Sequence, residues 1–184
     1  MVPESRLEPT EQGLVPKGDG WFVLNAREAR WLHAPGRSAI CEWEGYLEGE
    51  QDFHQIGINL NVLEPGVSMG MYHWEAAQED FLVLAGEAVL IVEGDERPLR
   101  QWDFVHCPAE TKHIIVGAGD APCLVLAVGA RGHAGKPGWG GYTVEDAARR
   151  HRVSVEKDTT DPSQAYAGLP RREPTQCRDG WLPG

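Results

Sequence analysis

The sequence lacks the features that mark membrane proteins, disulfide scaffolds and nucleic-acid-binding proteins. No apolar run approaches the roughly 18 residues that a membrane span requires. The four cysteines include no Cys-x-x-Cys pair, so they predict reduced thiols instead of a zinc knuckle or a disulfide framework. Basic residues are scarce, 17 against 28 acidic ones, and the net charge of -11 disfavours binding to phosphate backbones or anionic lipid. We therefore expect neither a nucleic-acid nor a membrane partner.

The first residues also lack the apolar centre of a secretory signal peptide, which predicts a cytoplasmic location. A length of 184 residues suits one domain with extensions. Residues 1–20 show no apolar periodicity and are expected to form a flexible arm. Residues 21–130 carry the main domain, and residues 131–184 form an extension with a small positive net charge beside that acidic body.

Short apolar runs recur through the main domain and are separated by Gly-, Pro- and Asp-rich turns. This spacing predicts an all-β antiparallel sandwich or barrel. The clearest strand is Ile56 to Val62, in which apolar residues alternate with Gly or Asn, so that one face should be buried and the other wet. The predicted strands are Trp21 to Leu24, Ser38 to Trp43, Ile56 to Leu63, Phe81 to Ala85, Ala88 to Val92, Trp102 to Cys107, His113 to Val116 and Pro122 to Val128.

The extension contains two short helix patterns. Thr143 to Arg150 begins with a capping residue and acidic side chains and ends with arginines. Asp161 to Ala167 has Asp161 as its cap and Pro162 at the first helical position. Because these helices need apolar anchors, we expect the extension to pack through Trp139, Tyr142 and Tyr166 on the outer face of the barrel, away from the metal site. This barrel is either that of its own chain or that of a partner.

Four side chains of metal-ligand type follow one another at close spacing. Alternate residues of a strand share a face, so His73 and Glu75 project together while Trp74 points to the other side. Glu79 leads into the next strand, and His113 opens a later one. Two imidazoles and two carboxylates suit a divalent iron, manganese, zinc or nickel ion and leave positions open for substrate.

These residues resemble the two motifs of the cupin superfamily. The first motif is similar to the segment from Gly66 to Gly86, in which His73-x-Glu75 and Glu79 hold the ligand positions and Glu75 stands in place of a second histidine. Six residues separate Gly66 from His73, three separate Glu75 from Glu79, and six separate Glu79 from Gly86. The second is similar to Pro108 and His113 at family spacing, without the family's glycines and asparagine.

The resemblance covers residues 21–130 and implies a double-stranded β-helix, or jelly-roll, barrel that holds one divalent metal ion per chain. It implies His73, Glu79 and His113 as metal ligands. Glu75 is either a further ligand or a proton-transfer residue, and Gln78 is an alternative oxygen ligand. His106 is expected to be a packing residue.

Two classes of function remain open. Two histidines with one carboxylate are typical of non-haem iron dioxygenases, whereas a proton shuttle at Glu75 favours an isomerase, epimerase or lyase acting on a sugar or sugar acid. A non-catalytic barrel that binds a small ligand is the alternative, because this fold serves many functions. The apolar runs Trp21 to Leu24 and Ser38 to Trp43, interpreted as edges, predict a homodimer.

Overall fold

The computed structural model describes residues 1–43, 53–133 and 136–184. These residues form fourteen strands and two short helices. In chain order they are β1 (Arg6–Thr10), β2 (Gly13–Lys17), β3 (Trp31–His33), β4 (Ala39–Glu42), β5 (Ile56–Leu63), β6 (His73–Glu75), β7 (Glu79–Ala85), β8 (Glu87–Val92), β9 (Asp95–Arg100), β10 (Phe104–Cys107), β11 (His113–Ala118), β12 (Cys123–Ala130), β13 (Gly140–Tyr142), α1 (Asp146–Arg150), α2 (Pro162–Ala165) and β14 (Glu173–Thr175).

Two antiparallel sheets face each other and enclose the main core. One has seven strands in the order β10-β7-β12-β5-β4-β3-β14, and the other has five in the order β13-β6-β11-β8-β9. Their inward side chains, such as Val83 and Val125 of the first sheet and Leu90 and Ile115 of the second, meet in one buried cluster. The predicted all-β double-stranded β-helix fold with a short helical extension is confirmed. None of the helices in the described ranges has the length and apolar character that crossing a membrane requires.

Strand β5 has the predicted bounds, but neither of its faces is wet along its second half. Asn61 is only 2% exposed and lies inside the barrel, where its amide donates to the side-chain oxygen of Asn59. Leu60 and Val62, on the opposite face, are covered by a second cluster that includes Trp181. The asparagines therefore point into the barrel because the carboxyl-terminal residues cover the outer face.

The first twenty residues, expected to form a flexible arm, contain the β1–β2 hairpin. Thr10 and Gly13 pair at its turn, and the backbone of Leu14 donates to the carbonyl of Glu28 at 2.7 Å. Val15 is buried. Backbone hydrogen bonds thus attach this hairpin to the chain that follows it.

The run Ser38 to Trp43 was interpreted as an edge, and this is wrong. Its strand β4 pairs with β5 on one side and β3 on the other, and β14 from the extension pairs with β3 in turn. The run Trp21 to Leu24 forms no regular strand and leaves Trp21 51% and Val23 80% exposed.

The extension packs on the barrel through both helices. Helix α1 buries Ala147 and Ala148 against Tyr72 and Ile114 on the outer face of the five-stranded sheet. This helix begins at Asp146 and is capped by Glu145, not by Thr143, because the backbone is still extended up to Glu145.

Helix α2 has the predicted cap. The Asp161 carboxylate accepts from the backbone N–H of Ser163 at 2.8 Å, and Pro162 occupies the first turn. The helix ends at Ala165, two residues before the predicted end.

Candidate metal site

Three strands from both sheets bring the two histidines and Glu79 together. His73 on β6 and His113 on β11 are direct cross-strand partners, and their ring centroids are 5.1 Å apart. Glu79 is the first residue of β7 in the facing sheet. The candidate ligands therefore meet across the interior of the barrel, at one end of it.

The donor atoms of these three residues converge on one point. Glu79 Oε2 lies 3.4 Å from His113 Nε2 and 3.8 Å from His73 Nε2, and one donor atom from each residue lies within 4.8 Å of the others. Donor atoms bound to one cation at about 2.1 Å are about 3.0 to 3.4 Å apart in octahedral or tetrahedral geometry. The two distances from Glu79 Oε2 therefore need a contraction of at most a few tenths of an ångström to match the tetrahedral spacing.

Backbone carbonyls orient both imidazoles for ligation. His73 Nδ1 lies 2.9 Å from the carbonyl oxygen of Met71, and His113 Nδ1 lies 2.9 Å from that of Thr111. A carbonyl oxygen can only accept, so Nδ1 carries the proton in each ring. The lone pair on each Nε2 therefore faces the Glu79 carboxylate, which is the arrangement that metal-binding histidines require.

Two of the facing atoms are buried without a hydrogen-bond partner among the described residues. They are His113 Nε2 and Glu79 Oε2. Buried polar atoms in proteins are almost always paired, so a pair of facing unpaired atoms marks a position for a proton, a water molecule or an ion.

Electrostatics favours neutral side chains in this site as long as no cation is bound. Burial, with the nearby Glu75 carboxylate, raises the pKa of Glu79 to about 8. Burial, with the neighbouring His113, lowers the pKa of His73 to about 3. Burial also lowers the pKa of His113. A divalent cation reverses this preference for the carboxylate, because its charge offsets the cost of burying the anion.

Glu75 lies beside this group and outside it. Its Oε1 is 3.9 Å from His73 Nε2, and its side chain is 30% exposed, almost twice the 16% of Glu79. Burial raises its pKa, and the charge of Arg131 opposes this shift. The structure therefore brings Glu75 to the rim of the cluster formed by His73, Glu79 and His113.

A cavity of about 200 Å³ opens next to the cluster. Besides the three candidate ligands it is lined by apolar side chains and by three polar residues that the sequence analysis missed, Asn59, Asn61 and Tyr166. Alternation in β5 placed the two asparagines in solvent, and no sequence signal links Tyr166 of the extension to the barrel interior. Its volume is below the roughly 300 to 1,000 Å³ of sites for drug-sized ligands, so it suits only a small molecule.

Two other candidate residues lie outside the cluster. Gln78 donates a hydrogen bond to the Asp80 carboxylate and is not among the described residues that line the adjacent cavity. The His106 side chain is 50% exposed and contacts the same Asp80 carboxylate at 2.6 Å. His106 is therefore a surface residue, and its interpretation as a packing residue is wrong.

The extension reaches the candidate site itself. Strand β13 pairs with β6, so that Gly140 lies opposite Glu75 and Tyr142 opposite His73. The rings of Tyr142 and His73 are 5.9 Å apart. The expectation that the extension stays away from the metal site is wrong, because a strand of the extension supports the strand that carries His73.

The fold and the cluster define a jelly-roll barrel with ligand-type side chains inside. Residues 59–129 match the family model described as a cupin domain. The barrel of this chain therefore belongs to the cupin superfamily. No curated protein matches the chain.

Solved structures of other proteins are similar to part of the chain. A sugar phosphate isomerase from Silicibacter pomeroyi DSS-3 is 29% identical over 58% of this chain and 62% of its own, with a TM-score of 0.43. The DMSP lyase DddQ from Ruegeria pomeroyi DSS-3 is 25% identical over 54% of this chain and 49% of its own, with a TM-score of 0.44. An RmlC-like cupin from Shewanella frigidimarina NCIMB 400 is 14% identical over 60% of this chain and 91% of its own, with a TM-score of 0.49. The matched part thus spans less than two thirds of the isomerase and of the lyase.

Proposed function

We propose that the chain binds one divalent cation through His73, Glu79 and His113 and acts on a small molecule held in the adjacent cavity. The observation that carries this proposal is the pair of buried, unpaired atoms His113 Nε2 and Glu79 Oε2, 3.4 Å apart. Two hydrogen-bond acceptors at this distance repel each other unless a positive charge lies between them. A cation also removes the energetic cost of a buried carboxylate.

The donor set restricts which cation suits the site. Two imidazole nitrogens and one carboxylate oxygen fit iron, manganese, zinc or nickel, whereas calcium and magnesium prefer oxygen ligands alone. When bound, such an ion supplies Lewis-acid chemistry and open positions for a substrate oxygen. The described residues of the cluster supply three donors, so coordination positions remain for a ligand from solution.

Glu75 supports a proton-transfer reaction at this site. Its carboxylate lies next to the three donors without joining them, and it is partly exposed toward the rim. Burial raises its pKa, which brings it nearer to the range in which a carboxylate exchanges protons at neutral pH. Glu75 can therefore take a proton from a carbon next to a carbonyl group and return it, as an isomerase, epimerase or lyase requires.

The cavity wall supports a small polar substrate for this reaction. Asn59 and Asn61 supply amide groups to the interior, and Tyr166 supplies a phenol. These groups hydrogen-bond hydroxyl and carbonyl oxygens, while Phe81 and Ile115 exclude water from the carbon skeleton. A sugar or sugar acid fits this mixture of polar and apolar walls.

A second candidate is a non-haem iron dioxygenase. The observation that favours it is the donor set itself, two histidines and one carboxylate with open positions. In that case Glu75 has no required role in the reaction. Dioxygen consumption by the iron-loaded protein distinguishes the two reactions, because isomerisation and elimination consume none.

Metal analysis of protein purified without chelators tests the proposal. We expect about one divalent ion per chain in the wild type and none in Glu79→Ala. His106→Ala is the matched control, because it removes a histidine outside the cluster. The metal-loaded protein is then incubated in deuterium oxide with a panel of sugars and sugar acids and followed by proton NMR.

Glu75-dependent exchange of a carbon-bound proton supports the enzyme. Tight binding of a panel member without exchange or oxygen uptake identifies the protein as a non-catalytic binding barrel. Absence of bound metal from the wild type overturns the proposal.

A further inference from the structure

A second cavity, of about 330 Å³, lies between the barrel and the extension. It is formed by the loop before β6, by the residues after α1 and by the chain that follows α2. Among the described residues its charged lining is of one sign, with three arginines and a histidine and neither aspartate nor glutamate. These residues are Arg37, His151, Arg152 and Arg172. The chain as a whole has a net charge of -11, so this local concentration of positive charge is opposite in sign to the overall charge.

Two of the arginines are held in place by neutral groups. Arg172 donates to the Ser38 carbonyl at 2.9 Å and to the Ser38 hydroxyl at 2.7 Å. Arg37 lies over the Tyr166 ring, 5.0 Å from its centroid, and donates to the Pro170 carbonyl at 3.2 Å. The Tyr166 ring and the Pro170 carbonyl are neutral, so they orient the Arg37 guanidinium without cancelling its charge.

Arg152, the third arginine of the cavity, has an unusual backbone conformation. It has a φ of +61°, in the left-handed region that favours glycine, although its side chain is a long cation. Residues kept in this conformation against their preference are concentrated at functional sites. His151 of this wall has its Nε2 3.3 Å from a carboxylate oxygen of Glu96, which also pairs with Arg150. Glu96 does not line the cavity.

We propose that this cavity binds the phosphate group of a small organic phosphate. The two guanidinium groups of Arg37 and Arg152 match the two charges of the anion, and arginine recognises phosphate oxygens through paired hydrogen bonds. The volume lies in the range of small-molecule sites and leaves room for a short carbon skeleton beside the phosphate. The apolar lining residues Val67 and Val153 suit that skeleton.

The proposed phosphate site is separate from the candidate metal cluster. None of His73, Glu79 and His113 lines it, although Gly70 and Tyr166 line both cavities and form a shared wall. Phosphate binding is therefore expected without metal. It goes beyond the proposed metal-dependent function and does not depend on it.

The test uses the full chain after chelator treatment and removal of the chelator, so that phosphate cannot bind to a metal ion. Calorimetric titration with inorganic phosphate and with glycerol 3-phosphate should show one saturable site. Binding should weaken with added salt, and glycerol alone should not bind. Failure of both phosphates to saturate a site overturns the proposal.

Variants assign the binding to this cavity. Arg37→Gln and Arg152→Gln should each weaken binding of glycerol 3-phosphate by about tenfold or more, the loss expected for a charge-assisted hydrogen bond. Arg6→Gln, which removes the same charge from an exposed side chain of β1, should bind like the wild type. An equal loss in Arg6→Gln means that only net charge matters and overturns the proposal.

Two further variants keep the outcome independent of folding and of metal. Arg152→Gly relieves the left-handed backbone, so it should fold at least as well as the wild type and still bind phosphate about tenfold more weakly. His113→Ala should bind phosphate unchanged. A loss of phosphate binding in His113→Ala places the anion at the metal cluster and overturns the proposal.

Discussion

His113 Nε2 and Glu79 Oε2 face each other across the barrel at 3.4 Å, and neither has a hydrogen-bond partner among the described residues. The carbonyl of Thr111 accepts a hydrogen bond from the Nδ1–H of His113, so the facing Nε2 is an acceptor like the carboxylate oxygen. Only a proton or a cation between them makes this contact favourable. In metal-free protein burial raises the pKa of Glu79 to about 8, so the carboxyl group keeps its own proton at neutral pH. In metal-loaded protein a cation would take the place of that proton.

Replacing His113 by Ala should abolish binding of a divalent cation and leave the barrel folded. The ring supplies one of three donors, while the strands are held by apolar side chains such as Ile115 and Val83. We expect more than about a 100-fold loss of affinity, beyond what loss of an outer hydrogen-bond partner costs. Metal content by mass spectrometry and far-UV circular dichroism check the two parts. Full metal content in His113→Ala would contradict the assignment of this ligand.

Replacing Glu75 by Gln should separate ligation from proton transfer. Because Glu75 lies outside the three-residue group, Glu75→Gln should keep the metal with an affinity within about tenfold of the wild type. Glu79→Gln should lose most of it. Isothermal titration with zinc or manganese compares the two variants. A similar loss in both would identify Glu75 as a metal ligand and end its interpretation as a proton-transfer residue.

Most barrel strands could be predicted because their apolar residues follow a strong local pattern. Strands without such a pattern, which are positioned by contacts with distant residues, could not be predicted. Strand β5 was predicted with its observed bounds because apolar residues alternate along it. Strand β9 was missed because only Leu99 of its six residues is buried, so no apolar run marks this edge. Strand β13 was missed because two of its three residues are glycines.

The residues of the candidate site fall into the same two groups, those predicted from local sequence and those positioned by distant contacts. Motif spacing identified His73, Glu79 and His113, which local sequence order brings to the cluster. Tyr166 lines the same cavity and its hydroxyl accepts from the backbone N–H of Met71 at 3.3 Å, across 95 residues of sequence. A contact of this kind depends on how the extension packs, which no local pattern encodes.

Replacing Gly140 by Ala should disrupt the pairing of β13 with β6, the strand that carries His73. A Cβ at this position would meet the carbonyl of Trp74 and approach the Glu75 Cα to 3.1 Å, so β13 could not stay paired with β6. We expect a loss of about 1 to 3 kcal/mol in the free energy of unfolding. Gly132→Ala is the control, because a Cβ there meets no atom within 4 Å.

Trypsin digestion reports on the same change. The wild type should resist cleavage at Arg149, Arg150 and Arg152, because the extension is packed on the barrel around α1. Gly140→Ala should be cleaved there faster than Gly132→Ala. Rapid cleavage of the wild type at these arginines would show that the extension is not held on the barrel in solution.

The chain is predicted to form a homodimer, and of the two runs that motivate this prediction the structure leaves only the one with Trp21 and Val23 as a candidate contact surface. Strand β4 is internal, whereas Trp21 and Val23 are 51% and 80% exposed. Burying such side chains against a second copy removes apolar surface from water. Light scattering at micromolar concentration should give twice the chain mass of 20.3 kDa. The double variant Trp21→Ser, Val23→Ser should be monomeric and Phe104→Ser dimeric, and a monomeric wild type would contradict the prediction.

Native protein should react with iodoacetamide at Cys177 alone. None of the four cysteines forms a disulfide, and Cys41, Cys107 and Cys123 are buried, while Cys177 is partly exposed. Burial raises the pKa of Cys107 to about 12 and that of Cys123 to about 11, so almost no thiolate forms at either residue at pH 8.

The pKa of Cys177 is also raised by burial, so its labelling should be slow at pH 8 and faster as pH rises toward 9.5. Mass spectrometry should find one adduct in native protein, none in Cys177→Ser, and four in wild type unfolded in guanidinium. Modification of Cys107 in native protein would contradict the prediction, because that thiol contributes to the core between the two sheets.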